Sequence, residues 1–139
     1  TLCALTGERV PTVFDHFSVL KPDLLLDTLE VSPEVYQELD DRYNGFRSHA
    51  LISAFEFSDN WPNWEKHPAG DELVILLSGR AEFVLRLESG DESTVLEEPG
   101  SFVMVPRNTW HTARINQPTR VLFITPGEGT QHAVSPPGT

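Results

Sequence analysis

The chain has a single cysteine, Cys3, among its 139 residues, which excludes an internal disulfide. That usage fits a reducing, cytoplasmic setting. Long apolar runs are also missing. The longest, at 73–77, is five residues, too short to span a bilayer. The segment 1–10 lacks the long apolar centre of a signal peptide. Basic residues are scarce: 10 Lys and Arg stand against 21 Asp and Glu, a formal net charge of −11. Phosphate backbones and anionic membrane surfaces repel such a chain, so neither nucleic acid nor a membrane is an expected partner. The acidity itself reads as solubility. No Ser-His-Asp constellation, phosphate-binding glycine loop or Cys-rich zinc cluster is present.

What is present is an ordinary globular composition, 39% hydrophobic and 22% charged, suited to one domain with one core. The spacing predicts one helix. Ser32 is its candidate cap, Pro33 fits its first position, and Glu34 complements the dipole. Val35, Leu39 and Tyr43 recur at helical spacing, and Asn44-Gly45 ends the run. Upstream, 12–20 and 24–30 read as strands. Downstream, strands are expected at 46–58, 72–77, 81–88, 94–96, 101–105, 110–115 and 120–125. Ser78-Gly79-Arg80 is a hairpin signal between the second and third of these. Short strands with frequent turns predict an all-β antiparallel sandwich or barrel carrying a short N-terminal helix. The expected division is 1–45 for N-terminal strands and helix, 46–126 for the barrel core, and 127–139 for a Pro/Gly-rich tail, extended or frayed around Ser135-Pro136-Pro137-Gly138.

Imidazoles and carboxylates are the donors a divalent transition ion takes from a protein. Glu65 and His67 are two apart, so on a strand they share a face. Glu72 opens the apolar run 73–77, and His111 opens a later strand. The spacing is specific. Glu72 follows His67 after four residues, and Gly79 follows Glu72 after six. Gly100 precedes Pro106 by five intervening residues, and His111 comes shortly after. Together these residues resemble the two motifs of the cupin superfamily, G-x5-H-x-H-x3–4-E-x6-G and G-x5-P-x-G-x2-H-x3-N, over about residues 59–116. His67, Glu72, Gly79, Gly100, Pro106 and His111 match. Glu65 stands in place of the first His, Asp59 of the opening Gly, Asn108 of a turn Gly, and Ile115 of the closing Asn.

The resemblance implies a jelly-roll barrel, a double-stranded β-helix, holding one divalent ion in its lumen. The implied ligands are Glu65, His67, Glu72 and His111. Two carboxylates shift preference toward Fe²⁺ or Mn²⁺, with Zn²⁺ and Ni²⁺ still in range. In a rival reading His67, Glu72 and His111 form a two-His, one-carboxylate triad, and Glu65 orients or acts as a base beside it. Phe83, Leu85, Phe102 and Met104 have parities that could face the lumen. Arg107 stands at a turn near the expected mouth. His16, His49 and His132 match no motif and read as ordinary surface or structural residues. The family hosts many activities, so the resemblance leaves two functions open. One is a metal-dependent dioxygenase acting on a small organic substrate. The other is a non-catalytic metal- or ligand-binding sensor. Single-domain relatives imply a homodimer.

Overall fold

The computed structural model describes residues 9–135. Cys3 and the expected frayed stretch 136–138 lie outside them. Strands β1 (His16–Leu20) and β2 (Leu26–Glu30) form an antiparallel pair, and helix α1 (Val35–Arg42) follows. Then come β3 (Ala50–Phe57), β4 (Trp64–Lys66), β5 (Glu72–Ser78) and β6 (Ala81–Leu87). The chain continues through β7 (Gly90–Leu96), β8 (Phe102–Val105), β9 (His111–Arg114), β10 (Thr119–Thr125) and β11 (Gln131–Ala133). Two antiparallel sheets result. One runs β2-β1-β3-β10-β5-β8 and the other β11-β4-β9-β6-β7.

The main core lies between the sheets. Val74, Leu76, Phe83, Val105 and Val121 are fully or almost fully buried there. A second cluster seats α1 against the first sheet through Val35, Leu39 and Tyr43, with Phe17, Val19 and Leu51 beneath. These are the helix positions whose spacing predicted an apolar stripe. Tyr43 also donates its hydroxyl hydrogen to Asp27 Oδ2 at 2.8 Å, tying helix to β2.

The helix is not N-terminal as expected, because two paired strands precede it. It also starts later than Ser32 and Pro33 suggest. Its cap is Glu34, which makes no side-chain capping bond, while Ser32 only accepts the Val35 amide through its carbonyl. Its end follows the sequence: Asn44, Gly45 and Phe46 all take positive φ and turn the chain toward β3.

The hairpin expected at Ser78-Gly79-Arg80 is absent. β5 and β6 belong to different sheets, so this turn is a crossing between layers. Gly79 has φ of +87°, and a Cβ there would stand 2.5 Å from the Pro118 carbonyl oxygen. Thr119, fully buried, accepts the Arg80 amide on its hydroxyl oxygen and donates to the Arg80 carbonyl. The crossing is therefore pinned to the start of β10. Phe102 and Met104 do not face the lumen either; they are 62% and 50% exposed. The register explains it. Val105 lies opposite the buried Glu72 and Val103 opposite Val74, so the intervening residues of β8 point out. Past Pro126, residues 131–133 pair with β4 and add a strand at the edge of the second sheet.

Candidate metal centre

Both sheets contribute to one end of the barrel. In the second sheet β4 carries Glu65, and His67 follows it by one residue beyond the strand. Glu65 is register partner to His111, the first residue of β9, on one side and to His132 of β11 on the other. In the first sheet Glu72 opens β5, and Thr125 closes β10 beside it. The four sequence-predicted residues therefore meet at one place between the layers.

Glu72 lies at the centre. Its Oε1 is 3.1 Å from His111 Nε2 and its Oε2 is 3.3 Å from His67 Nε2. Glu65 Oε1 stands 3.8 Å from His67 Nε2. Donor atoms of Glu65, His67 and His111 all lie within 4.8 Å of one another. His67, Glu72 and His111 are 4%, 2% and 0% exposed, while the Glu65 side chain is at the open edge.

The hydrogen bonds behind the imidazoles fix their tautomers. His111 Nδ1–H donates to the Thr109 carbonyl at 3.1 Å, and a carbonyl can only accept. His67 Nδ1–H donates to Thr130 Oγ1 at 2.9 Å, because the Thr130 hydroxyl hydrogen is spent on the Gly127 carbonyl at 3.0 Å. In its neutral form each ring is thereby left with a bare Nε2 lone pair. Thr125 donates its hydroxyl hydrogen to Glu72 Oε2 at 2.6 Å. With both rings neutral, three buried acceptors, His67 Nε2, His111 Nε2 and Glu72 Oε1, have no hydrogen-bond partner. Buried polar atoms are nearly always satisfied, and an unpaired buried carboxylate costs several kcal/mol. Lone pairs converging on one point fit a cation.

In the metal-free protein a proton competes for that point. Burial pushes His111 down, but the hydrogen bond and charge of Glu72 outweigh it and raise the imidazole above its ordinary value. Burial likewise pushes Glu72 up, yet hydrogen bonding to His111 and His67 and their charge hold it at about 2.

Sequence reasoning missed the supporting side chains. Thr125 and Thr130 carry no motif, and each is recognisable only through the strand pairing that delivers it. His132 matches no motif in the sequence. Its Nε2 lies 3.2 Å from Glu65 Oε2 across the β4–β11 pair, so it holds the carboxylate at the edge of the site. His49 bonds only to the Arg47 carbonyl, and His16 to Asp15, both away from the centre. Asn108 has the positive φ of 61° expected where it replaces a turn glycine. Arg107 is exposed, and its amide bonds to Asp71.

Residues 58–125 match the sequence profile of the cupin domain. Across a longer stretch the chain is 28% identical over 126 residues to an acireductone dioxygenase of Bacillus velezensis, covering 84% of this chain and 68% of that protein. It is 23% identical over 137 residues to an acireductone dioxygenase of Bacillus licheniformis, covering 84% and 75%. Among solved structures, a cupin superfamily protein of Desulfitobacterium hafniense is 28% identical, covering 55% of this chain and 65% of that one, with a TM-score of 0.46. Among the described residues, no helix is long and apolar enough to cross a membrane.

Proposed function

We propose that this cupin binds one divalent metal ion at Glu65, His67, Glu72 and His111 and works as a dioxygenase on a small organic substrate. The observation that carries the proposal is the convergence of three unpartnered buried lone pairs on one point. Glu65 takes the place of the first-motif histidine and brings a second negative charge, balancing a divalent ion. Its carboxylate favours Fe²⁺ or Mn²⁺ over Zn²⁺ or Ni²⁺. The similarity to two acireductone dioxygenases supports the choice of reaction class and makes an enediol a first substrate candidate.

The bound ion would supply a Lewis-acid or redox centre for dioxygen and substrate. The chain's own residues prepare that site. Thr109 and Thr130 hold the imidazoles in the Nδ1–H tautomer, so that both Nε2 atoms remain donors to the ion. Thr125 fixes one oxygen of Glu72 and leaves the other free. His132 steadies Glu65 at the mouth. Trp61, Phe57 and Phe123 wall the adjoining cavity with apolar surface.

The test is metal analysis of the purified protein, followed by oxygen uptake with enediol, β-dicarbonyl, phenolic and thiol compounds. Under ¹⁸O₂ both atoms should enter the product. A correctly folded protein with no metal affinity would overturn the reading.

A second reading, a non-catalytic metal or ligand sensor, is favoured by the place of Glu65 within the donor group, since a fourth protein ligand closes a position that chemistry would use. Metal binding without oxygen uptake on any of these compounds supports it. We also infer a homodimer, for which the edge strand β2 and the exposed Leu24, Leu25 and Leu26 offer a surface; sedimentation tests it. A cytoplasmic location rests on the single cysteine.

A further inference from the structure

A cavity of about 750 Å³ opens beside the candidate metal centre and includes Glu65, His67 and Glu72 in its lining. Its inner wall is aromatic. Phe55, Phe57, Trp61 and Phe123 contact one another with ring centroids 5.6 to 6.2 Å apart. Trp61 reaches the centre itself, its ring 6.1 Å from that of His111. The Trp61 indole nitrogen is buried with no hydrogen-bond partner. It is an uncharged donor, suited to a hydroxyl or carbonyl oxygen.

Carboxylates dominate the lining. Asp40, Glu56, Asp59, Glu65 and Glu72 line the cavity, no lysine or arginine among the described residues does, and the one histidine outside the candidate centre, His132, is paired with Glu65. Glu56 is balanced by Arg120 at 3.0 Å, outside the cavity. Asp40 and Asp59, both exposed at the rim, have no salt bridge among the described residues. At the centre, a divalent ion facing the carboxylates of Glu65 and Glu72 has no positive charge left over. Nothing in the cavity would then offset an anionic group carried on the ligand's body. Such a group would lose hydration against aromatic rings and meet two like charges at the rim.

We propose that the ligand of this cavity is an uncharged or cationic aromatic compound that meets the metal through oxygen, and that compounds bearing an additional anionic group are rejected. This rests on the metal-site reading above and names the substrate class for that site.

The test uses three catechols with one chelating head and different side-group charge: 4-methylcatechol, dopamine and 3,4-dihydroxyphenylacetate. Each is titrated calorimetrically into the full chain loaded with Zn²⁺, which does not turn them over, and the zinc content of the same sample is measured. The expected result is binding of 4-methylcatechol and dopamine at least roughly tenfold tighter than of 3,4-dihydroxyphenylacetate, equivalent to about 1.4 kcal/mol. Replacing both rim acids, Asp40→Lys with Asp59→Lys, should narrow or reverse that order. Both are exposed, so the fold should tolerate the change. Equal or tighter binding of the anionic catechol to zinc-loaded protein overturns the proposal, as does the absence of binding by all three. A sample that takes up no zinc overturns the metal-site reading and this inference with it.

Discussion

His67 and His49 differ in what lies behind and in front of the ring. His67 is buried, backed by Thr130 and aimed at Glu72, whereas His49 is spent on a nearby carbonyl. His67→Ala should abolish tight metal binding, and His49→Ala should leave it intact. Equal metal retention in the two variants, measured by elemental analysis after dialysis, would remove the site assignment. Thr130→Val keeps shape but leaves His67 Nδ1 without its acceptor. Loss of such support typically weakens metal binding by about 10- to 100-fold, and a competition titration reads that directly. The pH dependence follows from the same atoms. In the metal-free protein the raised His111 contributes stability that is fully present below its ordinary value of 6.5 and is lost as pH rises through its higher folded value. Glu72, depressed to about 2 from 4.5, contributes stability present above 4.5 and lost as acid approaches 2. Thermal melts in chelator should therefore weaken on the alkaline side of His111. Metal affinity should rise over that same interval, because the proton and the ion compete for one lone pair.

Among the elements, the crossing from β5 to β6 is the most sensitive joint. Gly79→Ala meets both a positive φ and a backbone oxygen at 2.5 Å. It should destabilise the fold by about 2 kcal/mol or more, read from the urea midpoint. The location of most strands was legible because alternation and turn residues are local properties, but Gly90–Glu92, which reads as a turn, extends β7, and β11 lies in the expected tail. The helix stripe at Val35, Leu39 and Tyr43 was legible for the same reason. The assignment of strands to sheets was not, since Ser78-Gly79-Arg80 looks the same whether the chain folds back or crosses to the other layer. What distinguishes the two is Thr119, some forty residues away. Phe102 and Met104 misled because alternation defines two faces without saying which is inside, and the larger side chains lie outside here. His67, Glu72 and His111 were legible through motif spacing. Their partners Thr125, Thr130 and His132 were not, since each arrives by long-range pairing through β10 and β11.

At the scale of the molecule, the candidate centre is bolted to both sheets. Glu72 and Thr125 come from one layer, and Glu65, His67 and His111 from the other. An ion held there cross-links the barrel at one end. Ligand bound only by the native state stabilises it, by about 2.7 kcal/mol at roughly 100 times Kd. Unfolding free energies from denaturant titrations with metal at roughly 100 times Kd and with chelator should differ by about that amount. The central claim is that His67, His111 and Glu72 present their free lone pairs to one metal ion. X-ray absorption at the edge of the bound metal tests it most directly. One ion per chain is expected, with two imidazole nitrogens and carboxylate oxygen in its inner shell. A shell without imidazole would contradict it.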